Sequence, residues 1–229
     1  MSRPLRINLP DLIYHVLNRG NNRQVIFAQD NDYQHYLKIL KKYKEKFQFK
    51  IFAFCLMTNH VHLLIKTSSQ GTVSNIMKAV TIAHTMYYHH KYNASGHVWQ
   101  GRFKSPLVSD DEYLLTLMRY IEQNPVRAGI VTRPEEYLFS SYHANVNIEK
   151  DALVDKEENP VFLSLANSIE ERVKWYKKFA SELLDEDKLE LIHKSLGGQN
   201  HFASDKFQEQ INTMLIASQK RTRGRPRKK

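Results

Sequence analysis

The 229-residue chain has one cysteine, Cys55, so it can form no internal disulfide. That thiol lies inside the apolar run IFAFCLM and reads as a buried, inert group. No stretch approaches the roughly 18 uninterrupted apolar residues of a membrane span. The first residues, MSRPLRINLPDL, have no apolar signal-type segment. A cytoplasmic, nucleoid-associated protein with no membrane partner is therefore expected. The sequence has no G-x-x-x-x-G-K phosphate loop, which argues against an attached helicase or ATPase. It also lacks G-x-S-x-G, C-x-x-C and any internal repeat.

What is present has the balance of an ordinary globular protein, 41% hydrophobic and 25% charged residues. Its length suits one well-buried core and a smaller appendage. The net charge of +10 is uneven. The last eleven residues, QKRTRGRPRKK, hold seven cationic side chains and no acid, leaving +3 for residues 1–218. A polyanionic partner follows, nucleic acid being the commonest.

Residues 13–19 read as a strand ended by Gly20-Asn21-Asn22, and Asp30 or Asn31 can cap a helix with Tyr33, Tyr36, Leu37, Leu40 and Phe47 on one face. Two β-rich runs, 49–57 and 60–66, are split by Thr58-Asn59, as in a hairpin. A second helix opens at Gln70-Gly71-Thr72 and ends at Asn93-Ala94-Ser95-Gly96. Residues 103–108 read as a fourth strand, with Pro106 placing it at a sheet edge. A third helix, capped by Asp110 or Asp111, runs through Asn124 and stops at Pro125. This order predicts an α+β, ferredoxin-like split β-α-β sandwich with an antiparallel sheet, its third strand central. The expected layout is a catalytic domain over 1–145 and a polar linker over 146–161. A helical region follows over 162–218 (segments near 162–184, 186–196 and 204–218), then a basic tail over 219–229.

His60 and His62 sit two apart on a predicted strand, so both leave the same face. Two converging imidazoles make two-thirds of a metal site, although such a pair taken alone is more often a pair of satisfied strand polars. Tyr120 and Asn124 are four apart on the third helix, hence about 40° apart around its axis. An amide oxygen there can complete a His₂O set for Mg²⁺ or Mn²⁺. Read singly, Tyr120 is also a plausible core aromatic and Asn124 a plausible helix end.

Taken together, the segments YHVLNRGNNRQVIF, LMTNHVHLLI, HVWQGRFKS and YIEQNPVRAGIV resemble the REP-associated tyrosine transposases, relatives of the single-tyrosine, IS200-like HUH transposases. The resemblance covers roughly residues 1–145, and the end RGRPRKK is similar too. It implies a divalent metal, Mg²⁺ or Mn²⁺, on His60, His62 and Asn124, with Tyr120 as nucleophile. Asparagine stands where related transposases often have glutamine, a shorter reach. The implied activity is cleavage and rejoining of single-stranded DNA hairpins of the REP-palindrome type through a 5′-phosphotyrosine. The implied assembly is a monomer or a homodimer, since the simple insertion-sequence relatives exchange the tyrosine helix between two copies.

Arg19, Arg23, Arg102, Lys104 and Arg127 lie in these motifs at turns or strand ends where phosphates could be reached. Trp99, with Phe103, could stack on an unpaired base. Arg223, Arg225 and Arg227 flank a Gly-Pro-bearing core like an AT-hook, suited to an A·T-rich minor groove, with plain electrostatic tethering as the alternative. Three other readings stand beside the transposase. One is a catalytically idle hairpin-binding regulator derived from a transposase. The others are a replication-initiator-type nuclease and a metal-dependent RNA phosphodiesterase. His15 and His193 carry no spacing argument and read as structural.

Overall fold

The computed structural model describes residues 7–108, 111–197, 209, 211 and 213. Strands β1 (Ile13–Arg19), β2 (Lys50–Met57), β3 (His60–Lys66) and β4 (Leu107–Val108) form one sheet in the order β2-β3-β1-β4. Every pairing is antiparallel. Helix α1 (Asp30–Phe47) joins β1 to β2, and α2 (Val73–Tyr92) joins β3 to β4, which is the expected α+β, split β-α-β arrangement. Both central strands are walled by neighbours, so β3 is apolar on both faces, as VHLLI requires.

Period-two alternation divides the strand residues between two cores. Tyr14 and Val16 of β1, with Val61, Leu63 and Ile65 of β3, meet Tyr36, Leu40, Ile76 and Val80 of α1 and α2. Leu17 and Leu64 face the other way, onto Leu117, Met118 and Ile121 of α3 (Asp111–Glu122). His15, His60 and His62 share the parity of Leu17 and Leu64, so they lie on the α3 side of the sheet. That second face is completed by α6 (Pro160–Ser164), α7 (Ile169–Ser181) and α8 (Glu186–Leu196), through Phe162, Tyr176 and Ile192. Two short helices intervene, α4 (Asn124–Arg127) and α5 (Tyr142–Asn145).

The boundaries differ from the expectations at four places, each for a physical reason. The first helix is capped by Gln29 rather than Asp30 or Asn31, because Asp32 turns back to accept from the Ala28 and Gln29 amides. The fourth strand has two residues instead of six. Pro106 supplies a carbonyl to His15 but has no N–H to return, and Lys104 reaches Leu17 only as an isolated bridge. The third helix ends at Glu122, and Pro125 sits in the first turn of α4, where a missing N–H costs nothing. Finally, the polar stretch 146–161 is packed rather than extended into solvent. Val154, Lys156 and Asn159 are buried there, and Asp155 hydrogen-bonds through its backbone and its carboxylate to Ile51 of β2. The segment expected near 204–218 and the tail arginines Arg223, Arg225 and Arg227 lie outside the described residues, apart from three positions of the former.

Candidate active site

The hairpin Met57–His60 delivers the histidine pair. His60 Nδ1 lies 2.6 Å from Asn59 Oδ1. An amide oxygen only accepts, so His60 carries its proton on Nδ1 and keeps a lone pair on Nε2. The Asn59 amide group also donates to the Arg23 carbonyl, tying the 20–23 turn to the hairpin. One register step inward, His62 pairs across to Leu17 of β1. Its Nδ1 lies 2.9 Å from Nε2 of His15, and the two rings meet edge to edge, 22° from parallel, with centroids 5.2 Å apart. His15, expected to be structural, stands beside His62 because of the β1–β3 register, which a sequence does not print.

Burial keeps all three imidazoles neutral. It pushes His15 down to about 3 and His60 down to about 4, helped at His60 by the Arg19 charge. His62 is held well below its ordinary value by burial, and then by the neighbouring His15, His60, Arg19 and Arg127. A neutral imidazole is the form that ligates a metal.

Tyr120 arrives from α3. Its ring meets His62 edge-on at 5.7 Å and His15 at 6.1 Å between centroids. The guanidinium of Arg127 lies 4.8 Å above the same ring. On the far side His193 of α8 packs at 6.1 Å, leaving Tyr120 only 4% exposed. The phenol therefore sits between the histidines of the sheet and a helix of the C-terminal region. His193 is likewise a residue expected to be structural, and no local sequence signal marks it.

Asn124 follows one turn later, at the start of α4. Its Nδ2 donates to the Tyr120 and Ile121 carbonyls, at 2.9 and 3.4 Å, which turns Oδ1 away from the helix. Among the described residues no three His, Cys, Asp or Glu side chains converge as a metal cluster. A cation held by His60 and His62 needs an oxygen from outside that class, and Asn124 Oδ1 is such a donor. The residues fit a divalent ion: two neutral imidazoles with their Nδ1 atoms engaged elsewhere, and an amide oxygen without a described hydrogen bond.

Next to Tyr120, Glu122 is fully buried. It accepts hydrogen bonds from Ser141, Asn145 and Tyr176 at 2.6–2.8 Å, joining α3 to α5 and α7. Burial raises it to about 7, against the lowering effect of those three donors. Gln123 donates to the Ala180 and Glu182 carbonyls. Residues close to Tyr120 thus anchor α3 to the C-terminal helices.

The cationic candidates fall into three places. Arg19 faces His60 across the register, and Arg127 covers Tyr120. Arg23 is exposed on a left-handed turn with φ of 58°. Arg102 lines a cleft of about 480 Å³ together with Asn18, Asn21, Thr85, Trp99 and Phe103. Lys104 is exposed beside it on the bridge to Leu17. Trp99 lines the cleft with its indole N–H tied back to Thr81 O and Thr85 Oγ1 of α2. No described helix is long and apolar enough to cross a membrane.

A split β-α-β sheet that carries a histidine pair on an interior strand, opposite a tyrosine from a helix on the same face, has the architecture of a single-tyrosine DNA transposase. Residues 8–124 match the family model for IS200-like transposases, and the chain belongs to that family. It is 29% identical over 118 residues to a protein of Haemophilus influenzae named as a REP-associated tyrosine transposase. That match takes in 46% of this chain and 65% of the relative's length, so just under two thirds of the relative is spanned. A solved structure described as a REP-associated tyrosine transposase bound to a REP hairpin superposes with a TM-score of 0.54 at 21% identity. The superposition covers 64% of this chain and 86% of the other, so the two share a fold.

Proposed function

We propose that this chain cuts and rejoins single-stranded DNA at hairpins of the REP-palindrome type, with Tyr120 as the nucleophile. The phenolic oxygen attacks phosphorus and the P–O3′ bond breaks. The 5′ end is left as a phosphotyrosine ester, and the 3′-oxygen leaves and takes up a proton. A phenol is far more acidic than an alkyl alcohol, with an ordinary pKa of about 10, so it is also the better leaving group. A DNA 3′-OH can therefore reverse the step without a nucleotide cofactor. The observation that carries this reading is the contact of the Tyr120 ring with His62, 5.7 Å between centroids, inside a family of transposases.

His60, His62 and Asn124 are the residues to hold the divalent ion, Mg²⁺ or Mn²⁺. Bound there, it supplies positive charge to the scissile phosphate and to the departing oxygen. Arg127, over the Tyr120 ring, and Arg19, paired with His60, are the residues to meet the flanking phosphates, and Asn59 and His15 hold the two ligand rings. The cleft beside Arg102 suits one unpaired base, with Trp99 and Phe103 as its apolar walls. The tail arginines Arg223, Arg225 and Arg227 add affinity for A·T-rich duplex or for phosphate generally. Domain roles follow the same division: residues 1–145 for chemistry and the helical region beyond 162 as a cover over Tyr120.

One observation favours a second reading, a hairpin-binding regulator with idle chemistry: Tyr120 is nearly buried beneath His193. A single experiment separates the two. The protein is incubated with a labelled DNA hairpin and Mn²⁺, then run on native and denaturing gels. A denaturation-resistant adduct that Tyr120→Phe abolishes, while hairpin binding persists, supports the transesterase. Binding with no adduct in the unaltered protein supports the regulator, and an adduct in Tyr120→Phe refutes the nucleophile assignment.

A further inference from the structure

We propose that His15 is a positioning residue for His62, accepting a hydrogen bond from His62 Nδ1 and thereby presenting His62 Nε2 to the metal. The inference rests on the reading of His60 and His62 as metal ligands, and extends it to a third histidine.

The geometry of the two ligand rings is parallel in its logic. Each has its Nδ1 engaged by a neighbour, Asn59 Oδ1 for His60 and His15 Nε2 for His62. For His60 the acceptor is an amide oxygen, so the tautomer is fixed. For His62 the partner is another imidazole, and the bond can be drawn either way. If His15 donated, His62 would carry its proton on Nε2 and offer the metal no lone pair. If His15 accepts at Nε2, it keeps its own proton on the unpartnered Nδ1, and His62 is a donor at Nδ1 and a ligand at Nε2. Metal-bound histidines commonly have their second nitrogen engaged in this manner.

Packing alone gives no account of His15. Its side chain is buried, and its Nδ1 has no hydrogen-bond partner. The described hydrogen bond of this imidazole is the one to His62. A wholly apolar side chain would fill the same space between β1 and α3 without leaving a buried polar atom unpaired. The hydrogen bond between the nearly coplanar rings, 22° between planes, also limits rotation of the His62 ring. Both strands are interior to the sheet, so the pair has a fixed separation. His15 acts on His62, not on DNA.

The test uses the full chain and Mn²⁺ as the probe, with free Mn²⁺ followed by electron paramagnetic resonance. His60→Ala and His62→Ala define loss of the site. His15→Phe, which keeps an aromatic ring but removes the acceptor, should weaken Mn²⁺ binding by about 10–100-fold. His15→Gln, whose Oε1 reaches the position of Nε2 and can only accept, should restore binding to within about threefold. Hairpin affinity without metal should be unchanged in both. A His15→Phe protein that binds Mn²⁺ like the unaltered chain, or a His15→Gln protein as weak as His15→Phe, overturns the proposal. Should His15→Phe fail to fold, the tautomer of His62 in the unaltered, Mg²⁺-loaded protein decides by two-bond ¹H–¹⁵N correlation. A proton on Nδ1 supports the proposal, and one on Nε2 refutes it. If His60→Ala and His62→Ala bind Mn²⁺ normally, the ligand assignment itself is wrong, a result distinct from failure at His15 alone.

Discussion

Replacing Glu122 with glutamine should change how the stability of the protein depends on pH, by an amount the structure sets. The carboxyl is fully buried and is raised from 4.5 to about 7, burial outweighing the three hydrogen bonds that favour its charge. A carboxyl whose folded value lies above its unfolded value binds its proton more tightly when folded. It contributes most below pH 4.5, and the contribution falls as pH rises towards 7. Between pH 5 and 8 the loss is about 2.5 kcal/mol, each tenfold difference in proton affinity being worth roughly 1.4 kcal/mol. Buried histidines run the other way. His15, His60, His62 and His84 are held neutral by burial, so acid below about 6.5 favours their unfolded forms. The two effects overlap in the unaltered protein and separate by subtraction. Glutamine keeps an acceptor for Ser141 and Asn145, and its amide N–H can donate to the Tyr176 oxygen as the O–H of the protonated carboxyl can. Urea unfolding at pH 5, 6, 7 and 8 should show Glu122→Gln gaining about 2.5 kcal/mol relative to the unaltered chain across that span. Parallel stability curves for the two proteins would refute the buried-carboxyl argument.

Other expectations are more compact. Asn59→Ala removes the acceptor that fixes His60, and Mn²⁺ affinity should drop about tenfold with little change in melting temperature; an unchanged affinity would show that the contact is incidental. Gly20→Ala would put a Cβ 2.5 Å from the Gln24 carbonyl oxygen and 3.0 Å from Ile26 Cγ2. The turn must shift, costing about 1–3 kcal/mol in a thermal melt, and a melting point equal to the parent's would argue that the loop adapts freely. Deleting residues 219–229 should weaken hairpin binding while sparing adduct formation. The log–log salt slope should flatten by about 0.7 for every phosphate the tail neutralises. Equal salt slopes in filter binding would reject a role for the tail.

How far the sequence could be read depended on the range of the signal. The order of strands and helices was legible because each rests on local periodicity, and the centrality of β3 follows from VHLLI being apolar at every interior position but His62. Spacings of two and four were enough to align His60 with His62 and Tyr120 with Asn124. The meeting of the two groups depends on which face of the sheet α3 covers, a tertiary fact that the family resemblance carried and the residue pattern alone did not. His15 escaped because its relation to His62 spans 47 residues and one strand pairing. His193 escaped because α8 folds back from beyond a stretch whose polar composition reads as solvent-exposed, while Val154, Lys156 and Asn159 are in fact buried there. Trp99 looked available for stacking; its N–H bonds to α2 are invisible without coordinates.

The way the sheet is bordered bears on how copies of this protein can associate. Along β2, the outward groups of Ile51, Phe54 and Leu56 are all taken by Asp155, Ser141, Phe139 and the Tyr137 hydroxyl. At the opposite border β4 is only two residues long. Among the described residues a neighbouring polypeptide finds no run of vacant backbone partners along β2. Extension of the sheet from chain to chain is thus blocked at the β2 rim and has only the two residues of β4 at the other.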